Sequence, residues 1–249
     1  MENKKTEVDI ILPNFNSSEY IDATIKSIIK QTFRNWKLII IDDFSDIKTK
    51  KKIKKYEKLN KIKVYWIKRN RGAAYCRNFG ISKSKSKFLA FIDSDDIWEK
   101  NKLKLQIQYM KKNNYDFTYT SYKTFGLRYE KINPPLKFNF EKFIKNTSIA
   151  TSTMMVKRIA IKGIKFTNTK ICEDYFFKCK ILNKVKFAHC IRKYLTRYRI
   201  RENSLQSNKF KNLYWIWKIN NKFNKLNFLE NLVSLLSISL NSIKKYGLK

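Results

Sequence analysis

"FLAFIDSDD", residues Phe88 to Asp96, sets an apolar run of strand formers against three carboxylates within four positions. A short unbroken hydrophobic run bounded by polar residues suits a strand covered on both faces. The acids mark its end. Residues two apart in a strand point to the same side, so Asp93 and Asp95 aim their carboxylates one way and Ser94 the other. Carboxylates this close repel one another unless water or a cation sits among them. Two readings of the motif therefore stand at this point. One is a solvated turn with a helix-capping aspartate; the other is a pair suited to a hard divalent cation completed by phosphate oxygens. An EF-hand loop is excluded, because its glycine and terminal glutamate are missing and Lys104 occupies the glutamate position.

Upstream, strands and helices alternate. "VDIILPNF" reads as a strand stopped by Pro13, and Ser17 or Ser18 is placed to cap a helix with Ile21, Ile25, Ile28 and Ile29 on one face. "WKLIIIDD" is a second strand ending in acids, and Lys48 to Asn60 a lysine-rich helix. "IKVYWI" is a third strand, and "NRGAAYCRNFGISKS" a glycine-turned loop opening a helix. This alternation predicts an α/β fold whose mostly parallel central sheet is flanked by helices, with ligands bound beyond the carboxyl ends of the strands. The clusters "DDFSD" and "DSDD" both fall at such ends.

After Asp96 the spacing predicts a helix over "IWEKNKLKLQIQYMKKN", a strand over "YDFTYTSYKTF", a break at Pro134-Pro135, a short helix over "FNFEKFIKN" and a strand over "ATSTMMVKR". From about Gln206 the sequence turns aromatic, basic and then helical. We divide the chain into a domain at 1–205 and a helical extension at 206–249. Leu229, Leu232, Leu236, Leu240 and Ile243 recur at helical spacing there, which suits either a helix in a membrane interface or a hairpin packed on the main domain.

The chain has 249 residues, 43% of them hydrophobic, which is enough for a sizeable core. Its formal charge of +35 fits compositional drift toward Lys, Ile, Asn, Phe and Tyr, and equally an anionic membrane surface or acidic ligand. Nucleic acid is the weakest partner, since no RNA-binding signature accompanies the mixed aromatic and basic residues of "NLYWIWKINNKF". Four cysteines without CxxC spacing read as free thiols. No signal peptide or apolar span of about 20 residues is visible. The expected location is cytoplasmic, peripheral at most to the inner face of the cytoplasmic membrane. The single histidine, His189, lies in the apolar run "KFAHCI" and reads as structural. It supports no Ser-His-Asp or Cys-His site, and neither a dinucleotide fingerprint nor a P-loop is present.

Taken together, "ILPNFNSSEYI", "QTFRNWKLIIIDDFSD", "NRGAAYCRNFGI", "FLAFIDSDDIW" and "KLKLQ", followed by "ICEDYFF" and "YRIRENSLQS", resemble the inverting family-2 glycosyltransferases of the GT-A fold, over Val8 to Ser207. The resemblance implies a nucleotide-sugar donor, a UDP-sugar first, and a glycan or lipid-linked acceptor in surface polysaccharide synthesis. It implies that Pro13 and Phe15 frame the base, that Asp43 accepts a hydrogen bond from a uracil-type ring, and that Arg77 approaches the nucleotide or diphosphate. Asp93 would hold ribose or orient the metal, and Asp95 would coordinate Mn2+ or Mg2+. Across the cleft lie Glu173 and Asp174, with Asp174 as general base. The chain departs from the pattern at Arg201, where the family often has histidine. An arginine supplies charge and donors but cannot ligate a metal, so Arg199 or Arg201 is expected to clamp the leaving diphosphate. The departure also leaves a binding-only protein on the same fold as the alternative reading.

Overall fold

The computed structural model describes residues 6–169, 171–202 and 209–246. Among them, one sheet contains β1 (Val8–Asn14), β2 (Trp36–Asp42), β3 (Ile62–Trp66), β4 (Phe88–Phe91), β5 (Ile97–Trp98), β6 (Phe117–Gly126), β7 (Lys131–Ile132), β8 (Lys137–Phe138), β9 (Met155–Lys157) and β10 (Ala188–Ile200). The helices are α1 (Ile21–Ile29), α2 (Ile47–Lys54), α3 (Ala73–Lys83), α4 (Lys102–Lys112), α5 (Phe140–Lys145), α6 (Glu173–Val185), α7 (Lys209–Lys222) and α8 (Phe228–Tyr246). The expected α/β architecture is present. The chain positions of 205 and 206, where the sequence suggested a boundary, lie outside the described residues.

The sheet order is β3-β2-β1-β4-β9-β6-β10-β5, with β7 on β6 and β8 on β10. The long ladders are parallel: β1 with β2 and β4, β2 with β3, and β6 with β10. The antiparallel pairings are shorter. Alternation along β1 explains the two-sided core. Val8, Ile10 and Leu12 pack in one cluster with Ile21, Ile25 and Ile28 of α1, while Ile11 joins Ile41, Phe91 and Cys76 in the other. Both faces of the strand are thus covered, as its near-continuous hydrophobicity required.

The chain leaves β1 toward β2 and β3, then returns to place β4 on β1's other side. Strand order reverses at that point, and in open α/β sheets this opens a crevice beyond the carboxyl ends. Register puts Asn14 opposite Asp42 and Ile11 opposite Phe91, so Asp43 and Asp93 emerge on either flank of β1 at the same edge.

Four local expectations change. The Ser17 hydroxyl donates to Asn14 Oδ1 rather than capping α1, whose N-cap residue is Tyr20. The lysine-rich helix stops at Lys54, short of Asn60. Ile97-Trp98 forms a strand against Arg197 and Thr196 instead of opening a helix. Its reason is tertiary: Trp98 N donates to Ser27 Oγ at 3.1 Å and its indole Nε1 to Ser152 O at 2.8 Å. Thr151–Thr153 is a 3₁₀ turn rather than strand, with Thr153 Oγ1 donating to Ala150 O at 2.6 Å. His189, placed as structural, lies in β10 with its ring stacked on Tyr115, centroids 3.6 Å apart.

Helix α3 closes tightly on the sheet because Gly80 has no side chain. A Cβ there would meet Ile11 Cγ2 at 2.7 Å and Ile41 Cδ1 at 2.8 Å. Gly80→Val is therefore expected to lower stability by about 1–3 kcal/mol through overpacking. A reduced urea midpoint at unchanged m-value would register it.

Candidate active site

Arg77 of α3 joins the two halves of the crevice. Its Nη2 lies 2.7 Å from Asp93 Oδ1, beyond β4, and its Nη1 2.6 Å from Glu173 Oε1 at the start of α6. The guanidinium is 7% exposed, and its Nε is buried without a hydrogen-bond partner. Burial disfavours the charge, but Asp93 and Glu173 outweigh that and keep Arg77 protonated. Sequence reasoning aimed this side chain at a nucleotide; the structure has it tying two carboxylates together.

Asp174 follows on the same helix turn. Its Oδ2 accepts from Lys178 Nζ at 2.7 Å and from Thr151 Oγ1 at 2.9 Å. Burial pushes its carboxyl upward, yet the Lys178 ammonium, its hydrogen bond and the Arg77 charge hold it down at about 2. The helix is entered through Cys172, whose φ of 61° is left-handed, a conformation that strains a residue with a side chain.

Asp95 meets Arg201, Nε to Oδ2 at 2.8 Å. Burial and then the Asp93 charge raise its carboxyl above the ordinary range, against the lowering effect of Arg201. Arg199 donates from Nε to Asp95 O at 3.0 Å and stacks near Phe125 and Tyr20, its guanidinium carbon 4.2 and 4.5 Å from the ring centres. β10 thus returns both predicted arginines to the end of β4. Asp96 is almost fully buried, accepts from Arg199 N at 2.8 Å, and is pushed well above the usual carboxylate range by burial and by Asp95 and Asp93. It serves as an anchor for β10.

The first-loop residues sit at the other flank. Pro13 is buried near the end of β1, and Phe15 is half exposed. The carboxylate of Asp43 accepts from Arg71 N and Gly72 N, both at 2.7 Å, and so shapes the "NRG" loop. Gly72 has φ 83°, which favours glycine. Both oxygens of Asp43 keep a second lone pair for another donor.

Sequence reasoning missed the turn that joins these groups. Thr151 holds Asp174, and Ser152 Oγ accepts from Asp93 N at 3.0 Å. Gln106 Nε2 donates to Thr153 O at 3.1 Å from behind, and Lys102 Nζ to Gln106 Oε1 at 2.6 Å. Burial draws the Lys102 ammonium down to about 7. The i, i+4 spacing of Asp174 and Lys178 was readable; the turn, separated from Asp93 by 59 positions, was not. A cavity of about 690 Å³ between α3 and Arg158–Lys165 shares none of these side chains and opens at the start of β4, away from the acids.

Among the described residues, no group of three or more His, Cys, Asp or Glu is arranged to hold a metal. Asp93 lies close enough to Asp95 for its charge to raise the Asp95 carboxyl, and each carboxylate keeps lone pairs beside its arginine.

The family model described as "Glycosyl transferase family 2" matches residues 9–176. TuaG of Bacillus subtilis, a glycosyltransferase attributed to teichuronic acid biosynthesis, is 31% identical over 98% of this chain and 99% of its own. The UDP-Glc:α-D-GlcNAc-diphosphoundecaprenol β-1,3-glucosyltransferase WfgD of Escherichia coli is 34% identical over 96% and 95%. Among solved structures, S. aureus TarS 1–349 in complex with UDP-GlcNAc superposes with a TM-score of 0.75, at 21% identity, over 96% of this chain and 73% of that TarS fragment. The fold is shared at that distance.

Removing the Arg77 guanidinium would leave two carboxylates facing each other in a poorly solvated crevice. Arg77→Met is expected to cost on the order of 3 kcal/mol of stability. Chemical denaturation at neutral pH checks this, with Arg77→Lys as a partial rescue.

Proposed function

The chain belongs to glycosyl transferase family 2, and from that premise we propose that it transfers a sugar from a UDP-sugar, with inversion, to a hydroxyl of a glycan or lipid-linked acceptor during synthesis of a bacterial surface polysaccharide. Its glycosyltransferase class follows from the family, and its fold is GT-A. The activity of WfgD supports the donor and the diphosphate-linked acceptor, and the UDP-GlcNAc bound to TarS agrees with a uridine donor. On this reading the enzyme works at the cytoplasmic face of the membrane that carries the acceptor.

One observation carries the proposal. Asp93 and Asp95, with Arg199 and Arg201 beside them, stand at the strand-order reversal, and Arg77 links them to Glu173 and Asp174 across the crevice. The first group suits a diphosphate; the second suits an acceptor hydroxyl.

In this arrangement Phe15 and Pro13 border the base, and Asp43 takes a ring N–H on its unused lone pairs. Arg201 is 42% exposed and reaches Asp95 with one edge, so its other N–H groups are available to phosphate oxygens. Arg199, locked between Tyr20 and Phe125, adds fixed positive charge where the leaving diphosphate becomes more negative. Asp174 stays ionised at working pH and accepts the acceptor's proton as the oxygen attacks the anomeric carbon, a contribution of about 10²–10⁴-fold. Glu173, held by Arg77, fixes the helix start that aims Asp174.

Mn2+ or Mg2+ fits the donor set. Asp95 is raised first by burial and then by the Asp93 charge even with Arg201 in contact, so a cation beside it would favour its ionised form. A cation held by Asp95 and Asp93, with phosphate oxygens and water as its remaining ligands, would neutralise charge on the diphosphate. Arg201 cannot replace a histidine ligand, so it acts here through its charge and its N–H donors.

Asp95→Asn is expected to lower kcat by about 10²–10³-fold, the scale of losing one preorganised electrostatic contact, while the melting temperature holds. UDP release from a panel of UDP-sugars, with and without excess chelator, measures both the variant and the metal requirement. Undiminished release in chelator would remove the cation from the proposal.

The sign of the Lys178 effect is also determined. Asp174 must be deprotonated to act, and Lys178 lowers its pKa, so the acid limb of the native profile lies well below the working range. Lys178→Met should raise that pKa by about 1–3 units, the scale of losing an adjacent opposite charge. The acid limb then moves up toward the working range. A pH profile identical to the native one would show that Asp174 is not the base.

A further inference from the structure

Helix α8 packs one face on the protein and turns a second, apolar face outward. Asn231 and Ser234 are fully buried, while Leu229, Leu236 and Leu240 are 70, 57 and 60% exposed. Leu232, Val233 and Ile243 extend the same outward face, and their spacing forms one continuous apolar stripe. The face toward the protein pairs the polar Asn231 and Ser234 with the apolar Ile238, which is buried in the core, and Leu235, which packs against it.

This orientation is specified by hydrogen bonds. Asn220 of α7 donates to Asn231 Oδ1 and Ser234 Oγ, each at 3.1 Å. Ser234 Oγ donates to Ile144 O of α5 at 2.6 Å, and Asn231 Nδ2 to Trp217 O at 3.1 Å. Turning the helix to bury the outward leucines would strand these polar groups and pull Ile238 out of the core. The leucines face outward because the inward face is already determined.

We infer that the outward face of α8 docks on an anionic lipid bilayer. The helix is not long and apolar enough to cross a membrane, and no described helix is. From Phe228 to Ile243 it runs about 22 Å, enough to lie in the interface with its leucines among the acyl chains. Charge selects the occupant. The chain carries +35 overall, and exposed Lys222, Lys225 and Lys244 flank the stripe. Glu230, the acid of the first turn, folds back to accept from Asn227 N at 2.9 Å. A second copy of so basic a chain is repelled from this face, whereas anionic headgroups are attracted to it. The same network reaches the site: Tyr175, next to Asp174, donates from its hydroxyl to Asn220 Oδ1 at 2.6 Å. Docking through α8 therefore holds α6 and the crevice at a set attitude to the bilayer. That last consequence rests on the glycosyl-transfer reading; the docking does not.

The test is flotation of the full-length protein with vesicles of phosphatidylglycerol and phosphatidylcholine, and with phosphatidylcholine alone. The native protein should float with the first and at least tenfold less with the second. Leu232→Glu/Leu236→Glu/Leu240→Glu, all exposed positions, should lose at least tenfold of the flotation while keeping its melting temperature and its transfer to a water-soluble acceptor. Equal flotation of the two proteins overturns the inference. So does a native dimer, seen by sedimentation without vesicles, that the triple variant dissociates, since the face would then join copies of the chain. If neither protein transfers sugar while flotation still separates them, the glycosyl-transfer reading fails and the docking surface stands.

Discussion

The buried guanidinium of Arg77 holds Asp93 and Glu173 within 2.7 Å although 80 positions of chain separate them. Asp93 closes the parallel half of the sheet; Glu173 begins the helix that follows the mixed half. Each acid alone would be a partly solvated charge of little consequence. Held on one cation they fix the width of the crevice, and everything that faces into it inherits that geometry. The rest of the site depends on this link because neither side has another direct charge pair across the gap among the described contacts.

Around that link the acids divide into different roles by environment rather than by type. Asp96 and Asp43 are spent on backbone N–H groups and shape the chain. Asp174 is held ionised by a lysine on its own helix. Asp95 keeps a raised carboxyl beside an arginine, an arrangement that repays the arrival of further positive charge. Carboxylates that look alike in sequence thus differ in proton affinity, Asp174 held below the ordinary range and Asp95 and Asp96 raised above it.

The carboxamide network behind α6 extends the same logic outward. Tyr175, Asn220, Asn231 and Ser234 join α6 to the C-terminal hairpin through side chains that must all be satisfied at once. Such a network specifies one packing of α7 and α8 over its alternatives. It also explains how a helix with a leucine stripe comes to present that stripe to solvent.

Much of this was legible in the chain. The fold followed from period: apolar runs ending in acids, alternating with amphipathic helices, require a covered parallel sheet whose strand ends collect the ligands, and "FLAFIDSDD" and "DDFSD" fell at those ends. The pairing of Asp174 with Lys178 was present as an i, i+4 spacing. What tertiary structure alone decided were the contacts between distant segments. These include the bridge made by Arg77, the Thr151–Thr153 turn beneath Asp93, the strand rather than helix at Ile97-Trp98, and the outward face of α8. Local pattern reports which residues share a face, because that follows from the backbone repeat. It does not report what the face meets, because that is set by partners tens of residues away whose hydrogen bonds and packing choose between two faces that are both apolar in part.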